Sequence, residues 1–97
     1  MVIDMLVHLD ASPTGITRAA VRRRSISADA VRRIHVFTDA NGEQSLVVRS
    51  TVFRFVNLTV EDLADPAVSS GVRSLISEVR DRARVDADVV PFLASVA

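Results

Sequence analysis

The sequence predicts an α+β fold in which helices cover one face of an antiparallel sheet. Three observations lead there. Residues 2–9 alternate apolar and mixed positions, residues 31–57 carry two β-prone runs joined by Asn41-Gly42, and residues 66–84 carry apolar side chains at helical spacing. Period two and period 3.6, each confined to its own block, mark strands and helices in one chain. The 97 residues, 48% of them hydrophobic, read as a single domain spanning 1–97. A chain of this size buries roughly 60–65% of its unfolded surface without covalent staples.

In residues 2–9, Ile3, Met5, Val7 and Leu9 form one apolar face, and Val2, Asp4, Leu6 and His8 form a mixed one. This is the pattern of a strand covered on one side. Ser12 followed by Pro13 fits an N-cap with proline at the first helical position, so residues 13–24 are expected to be helical. Residues 31–38 form a second strand. Asn41-Gly42 turns the chain back, because both residues tolerate positive φ. Residues 44–57 read as one long return strand, with Ser50 as a bend or bulge. Thr59-Val60-Glu61-Asp62 resembles a capping box with Asp in place of Glu, flanked by Leu58 and Leu63 as a staple. Asp65-Pro66 restarts a helix whose Val68, Val72, Leu75, Ile76, Val79 and Ala83 share one face over residues 66–84, roughly 28 Å long. Gly71 costs that helix about 1 kcal/mol, and its missing side chain would admit another backbone. Residues 86–93 read as an edge strand containing Pro91. The alternative is a short helical face of Val89, Phe92, Leu93 and Val96. The order is thus β-α-β-β-α followed by β or α; with a final strand it is the split-βαβ, ferredoxin-like order.

Composition excludes several chemistries. The chain contains no Cys, no Trp, no Tyr and no Lys, and its twelve Arg balance twelve Asp plus Glu. Without Cys there is no disulfide framework, thiolate nucleophile or zinc ribbon. Without Lys there is no phosphate-loop lysine and no Schiff base. The three glycines, Gly15, Gly42 and Gly71, are too far apart for a dinucleotide fingerprint. All-Arg usage is expected of a GC-rich, bacterial genome. No apolar run approaches the roughly 18–20 residues that span a bilayer, and the N-terminus has no basic region before its apolar stretch. The expectation is a cytoplasmic protein without membrane partners, cofactor or metal.

Two candidate constellations remain. His8 and His35 are the available bases. Asp4 and His8 share a strand face but lie roughly 13 Å apart, while His8 and Asp10 lie roughly 6.6 Å apart. A small dimeric α/β-barrel-like enzyme or ligand binder would rely on His8 or His35. Arg18, Arg22, Arg23, Arg24, Arg32 and Arg33 fall within sixteen residues, and guanidinium forks match phosphates. With Phe53 and Phe55 two residues apart as stacking platforms, they make a nucleic-acid or anion surface the alternative function. The segment 49–55 lacks the glycine and aromatic spacing of the RNA-recognition-motif signature.

Association is the leading expectation. Residues 1–58 carry eight Arg against five acids and residues 59–97 four Arg against seven acids, a division suited to pairing basic and acidic surfaces of two subunits. Two helices cover one face of a sheet, so rows containing Val47, Phe53 and Phe55 need a partner, as does an apolar C-terminus containing Phe92 and Leu93. The sequence therefore predicts a non-enzymatic homo-oligomeric assembly or protein-interaction module.

Overall fold

The computed structural model describes residues 8–19 and 23–96. Strands β1 (His8–Ser12), β2 (Gly15–Ala19) and β3 (Arg23–Ser27) form an antiparallel meander, and a 3-10 turn at Ala28–Ala30 leads into the second sheet. That sheet is ordered β6-β5-β4-β7, from β4 (Arg33–Thr38), β5 (Gln44–Arg49), β6 (Phe55–Thr59) and the short β7 (Arg84–Val85), which runs parallel to β4. Helices α1 (Val60–Ala64) and α2 (Pro66–Val79) follow β6, and α3 (Val89–Val96) follows β7. The protein is an α+β domain with one antiparallel and one mixed sheet. Its element order is not β-α-β-β-α-β.

The first correction explains that difference. Where a helix was expected over residues 13–24, Gly15–Ala19 is strand β2, and Arg23 and Arg24 begin strand β3. Proline fixes φ near −65°, which suits a turn as well as a helix start. Ser12 pairs with Gly15 across the turn, and the Ser12 hydroxyl accepts from the Thr14 amide at 3.3 Å. Gly15 has φ +155°, and a Cβ there would come within 2.4 Å of the Ile26 carbonyl oxygen. Pro13 therefore sits in the turn of the β1–β2 hairpin, and β3 lies too close to β2 for a side chain at position 15. The first predicted strand lies outside the described residues up to residue 7; its remainder continues to Ser12 as β1.

The long return strand is also corrected. It divides into β5 and β6 around a tight turn, in which the Ser50 amide donates to the Arg54 carbonyl at 2.9 Å and the Arg54 amide to the Thr51 carbonyl at 3.3 Å. Residues 86–93 are no strand: the sheet takes Arg84 and Val85, and helix α3 begins at Val89 with Pro91 in its first turn.

Local signals fare better. The Thr59–Asp62 capping box closes in both directions, at 3.1 and 2.9 Å. Asp65 caps α2 by accepting from the Ala67 amide at 2.9 Å, with Pro66 at the first position. The helix ends at Val79, before residue 84. The hairpin at Asn41-Gly42 is present, yet among the described non-glycine residues none has positive φ, so only Gly42, at φ +82°, turns left-handed. Asp39 stabilises that loop by accepting from the Asn41 and Glu43 amides at 2.8 and 3.0 Å.

One core joins both sheets. Ile16 and Ile26 from the first meet Ile34, Leu46, Val48, Val56 and Leu58 from the second, under Val72, Leu75 and Val79 of α2 and Val89 and Leu93 of α3. Gly71 brings α2 directly onto β1, where a Cβ would lie 1.9 Å from the Ala11 carbonyl oxygen. The first sheet also covers the edge of the second. Arg18 donates to the Asn57 carbonyl at 2.9 Å and pairs with Asp62, and Arg24 reaches the Phe55 carbonyl at 3.5 Å. An edge strand so covered is a poor template for another chain's strand. Among the described residues, no helix is long and apolar enough to cross a membrane.

Candidate functional site

Alternation decides what the second sheet presents. Ile34, Leu46, Val48, Val56 and Leu58 are buried, so their neighbours in sequence point to the opposite face, away from the helices. The register lines those neighbours into three rows. Arg33, Arg49 and Phe55 form the first, extended by Arg84 beside Arg33; His35, Val47 and Asn57 form the second; Phe37, Ser45 and Thr59 form the third.

The first row is cationic. Arg33 grips Asp86 with two hydrogen bonds at 3.2 and 2.7 Å, and Arg84 lies 3.4 Å from the same carboxylate. The hydrogen bond from Arg33 holds the Asp86 carboxyl below the usual carboxylate range, and the same bond pushes the Arg33 guanidinium up. Arg49 and Arg24 place their guanidinium carbons 4.8 and 5.6 Å from the Phe55 ring centre. Cations there are attracted by the ring's quadrupole. Arg49 also donates to the Thr51 and Val52 carbonyls at 3.3 and 2.7 Å, which fixes the β5–β6 turn. At the apex of that turn Val52 and Phe53 are 72% and 90% exposed.

The middle row holds His35. Burial pushes its imidazole below the usual 6.5, and the nearby charges of Arg33 and Arg49 act in the same direction. Its Nε2 is screened from solvent and has no hydrogen-bond partner among the described residues. A neutral ring so enclosed is poorly placed to act as a general base. Val47, between His35 and Asn57, is only 4% exposed.

The third row opens into a depression of about 330 Å³ lined by Phe37, Ser45, Asn57, Thr59 and Val60, with Asp39, Glu43 and Glu61 around it. Phe37 and Val60 are both partly exposed there. None of the three carboxylates forms an ion pair with a described residue. One sheet face thus carries arginines and an apolar turn at one end, and carboxylates around an apolar hollow at the other.

The expected site residues are scattered by this arrangement. Arg18 is committed to Asp62 and the β6 edge, Arg24 to Phe55, Arg32 to the Asp29 carbonyl at 3.1 Å and Arg33 to Asp86. Arg22 and the side chain of Arg23 lie outside the described residues. Phe53 and Phe55 do not share a strand, and the Phe55 ring already carries two guanidinium groups. Of the interface candidates, Phe92 and Leu93 are corrected: α3 turns them into the chain's own core, 7% and 1% exposed. The backbone of His8 belongs to the first sheet and His35 to the second, while the His8 side chain lies outside the described residues. Among the described residues, no three His, Asp or Glu side chains come together to hold a metal.

Arg49, Arg84, Asp86, Phe37, Val52 and Val60 are the surface residues that sequence reasoning missed. The alternation of Phe37 with His35 could have placed it on this face. The others depend on pairing between strands distant in sequence. The chain matches no family model, no curated protein and no solved structure at a significant level.

Proposed function

We propose that this protein is a non-enzymatic assembly module that associates with its own copies through the open face of the second sheet. The observation that carries this reading is the face itself. Val52, Phe53 and Phe37 expose apolar surface on a face whose two ends carry opposite charge. Apolar patches flanked by complementary charge favour protein partners. The sheet core behind them is rigid, which keeps the ordering cost of association small.

The expected outcome in solution is a mass above the 10.5 kDa of one chain, measured by multi-angle light scattering at micromolar concentration. A mass of one chain at every concentration would refute the reading. Nucleic-acid binding, the alternative drawn from the arginine-rich segment, is supported less well. The Arg33 charge is taken up by Asp86, and of the two strand-borne phenyl rings on this face Phe55 is covered by Arg24 and Arg49 while Phe37 lies beside carboxylates. Salt-dependent binding of a single-stranded oligonucleotide, abolished by charge reversal at Arg33 and Arg49, would favour that alternative instead.

A further inference from the structure

We infer that the Val52–Phe53 turn of one copy seats in the Phe37–Val60 depression of a second, in a closed two-fold dimer. This deepens the self-association reading and rests on it. Four observations fix the occupant as a second copy.

The turn is built to present its side chains. The Arg54 amide donates to the Thr51 hydroxyl at 3.1 Å as well as to its carbonyl, and the Arg49 guanidinium holds the carbonyls of Thr51 and Val52. An apolar side chain on such a braced turn has little freedom left to lose on binding. The depression has the size to receive it. A cavity of about 150 Å³ accepts benzene, and 330 Å³ leaves room for Val52 beside the phenyl ring.

Charge selects the pairing. The turn brings Arg54, with Arg49 behind it, while the depression offers Asp39, Glu43 and Glu61. Asp86, already gripped by Arg33, is the carboxylate that the structure pairs with the arginine end. Placing like ends together would oppose arginine to arginine and leave the carboxylates unmatched, which costs affinity.

Position closes the assembly. The turn follows the Arg49 end of β5, and the depression, with Ser45 in its wall, lies at the opposite end of the same strands. A two-fold axis between those ends and perpendicular to the strands carries the turn end of each copy onto the depression end of the other. Both contacts form at once, and no unfilled depression remains to recruit a third copy.

The test uses the full chain in sedimentation velocity across a concentration series. The unaltered protein is expected to stop at two copies. Phe53→Asp is expected to weaken the dimer about thirtyfold or more, as for a central anchor. At a concentration low enough that the unaltered protein is also single chains, the variant's thermal midpoint should equal that of the unaltered protein, because position 53 touches no core. Glu61→Arg and Arg54→Glu should each weaken the dimer, and an equimolar mixture of the two variants should restore it in part. Because the chain has no Cys, Phe53→Cys mixed with Val60→Cys should give an oxidised heterodimer, and neither variant alone should cross-link as completely. A dimer that survives Phe53→Asp and both charge reversals would overturn the turn-in-hollow pairing while leaving sheet-face association intact. Mass that grows with concentration past two copies would overturn the closed arrangement. A single-chain mass throughout would overturn both proposals.

Discussion

The two faces of the second sheet come from the same strands and differ by one residue of register. On the covered face Ile34, Leu46, Val48 and Leu58 are fully buried beneath α2 and α3. On the open face their immediate neighbours are Arg33, His35, Ser45, Val47, Arg49 and Asn57. The covered face is selected for volume and for the absence of polar atoms, since nothing there could satisfy them. The open face is selected for something else. It keeps histidine, asparagine and arginines, Arg33 committed to Asp86 and Arg49 to the carbonyls of Thr51 and Val52, and its exposed apolar side chains lie towards its two ends.

That contrast can be broken most severely where the helix layer meets the sheets. Gly71→Val forces a side chain into the space of the Ala11 carbonyl, which already lies 1.9 Å from an ideal Cβ. The expected cost is above about 4 kcal/mol, among the largest for one substitution, seen as loss of the cooperative unfolding transition. Next comes the comparison of adjacent residues on β4. Ile34→Ala should lower stability by about 2–5 kcal/mol in urea titrations, because it opens a cavity. His35→Ala, one position on, should cost less than about 1.5 kcal/mol; equal losses would show that the open face is as tightly packed as the covered one.

Asp62→Ala removes half of the capping box and leaves Arg18 with one fewer partner, at an expected cost of about 1–3 kcal/mol. This checks whether the first sheet's grip on the β6 edge matters to the fold. Smaller still is the response to pH. Burial pushes the Asp62 carboxyl up, but the Thr59 amide and Arg18 outweigh it, and the carboxyl stays below its usual 3.8. Lowered carboxylates such as Asp62 and Asp86 stabilise the fold above about that pH and lose the contribution as pH falls through their folded values. His35 is lowered from 6.5, so the unfolded chain takes up its proton first. Stability is complete above that value and declines as pH falls below it. Denaturation midpoints from pH 7.5 to pH 5 should show this slope in the native chain and a flatter one in His35→Asn. The smallest stability change, within about 0.5 kcal/mol, is expected for Phe53→Ser on the exposed turn; a larger loss would place that turn inside the folding unit.

The contrast also explains how much could be read from the residues in order. Alternation in residues 31–38 correctly sorted Ile34 from Arg33 and His35, because strand periodicity depends on nothing beyond neighbours. The apolar stripe from Val68 to Val79 was legible for the same reason, as were both helix caps. The Ser12-Pro13 pair was not, since a proline-fixed φ serves a turn and a helix start equally. The break at residues 50–54 was hidden because Thr51, Val52 and Phe53 are strand formers by propensity, and pairing outweighs propensity. Of the site, the sequence pointed to Val47, Phe53 and Phe55 but also to Phe92 and Leu93, which the core absorbs. It could not indicate that Arg84 and Asp86 would join Arg33.

The sequence by itself determined the covered residues of the second sheet, the caps of α1 and α2, the hairpin at Gly42 and the exclusion of thiol and lysine chemistry. These follow from forces that act within about four residues, or from the residue types present. Only the tertiary structure decided that Gly15–Ala19 and Arg23–Ser27 form strands, that α3 buries Phe92 and Leu93, and that an arginine end and a carboxylate end share one face. Those outcomes depend on which strands pair, and pairing is a contest between segments far apart in the chain that no local pattern records.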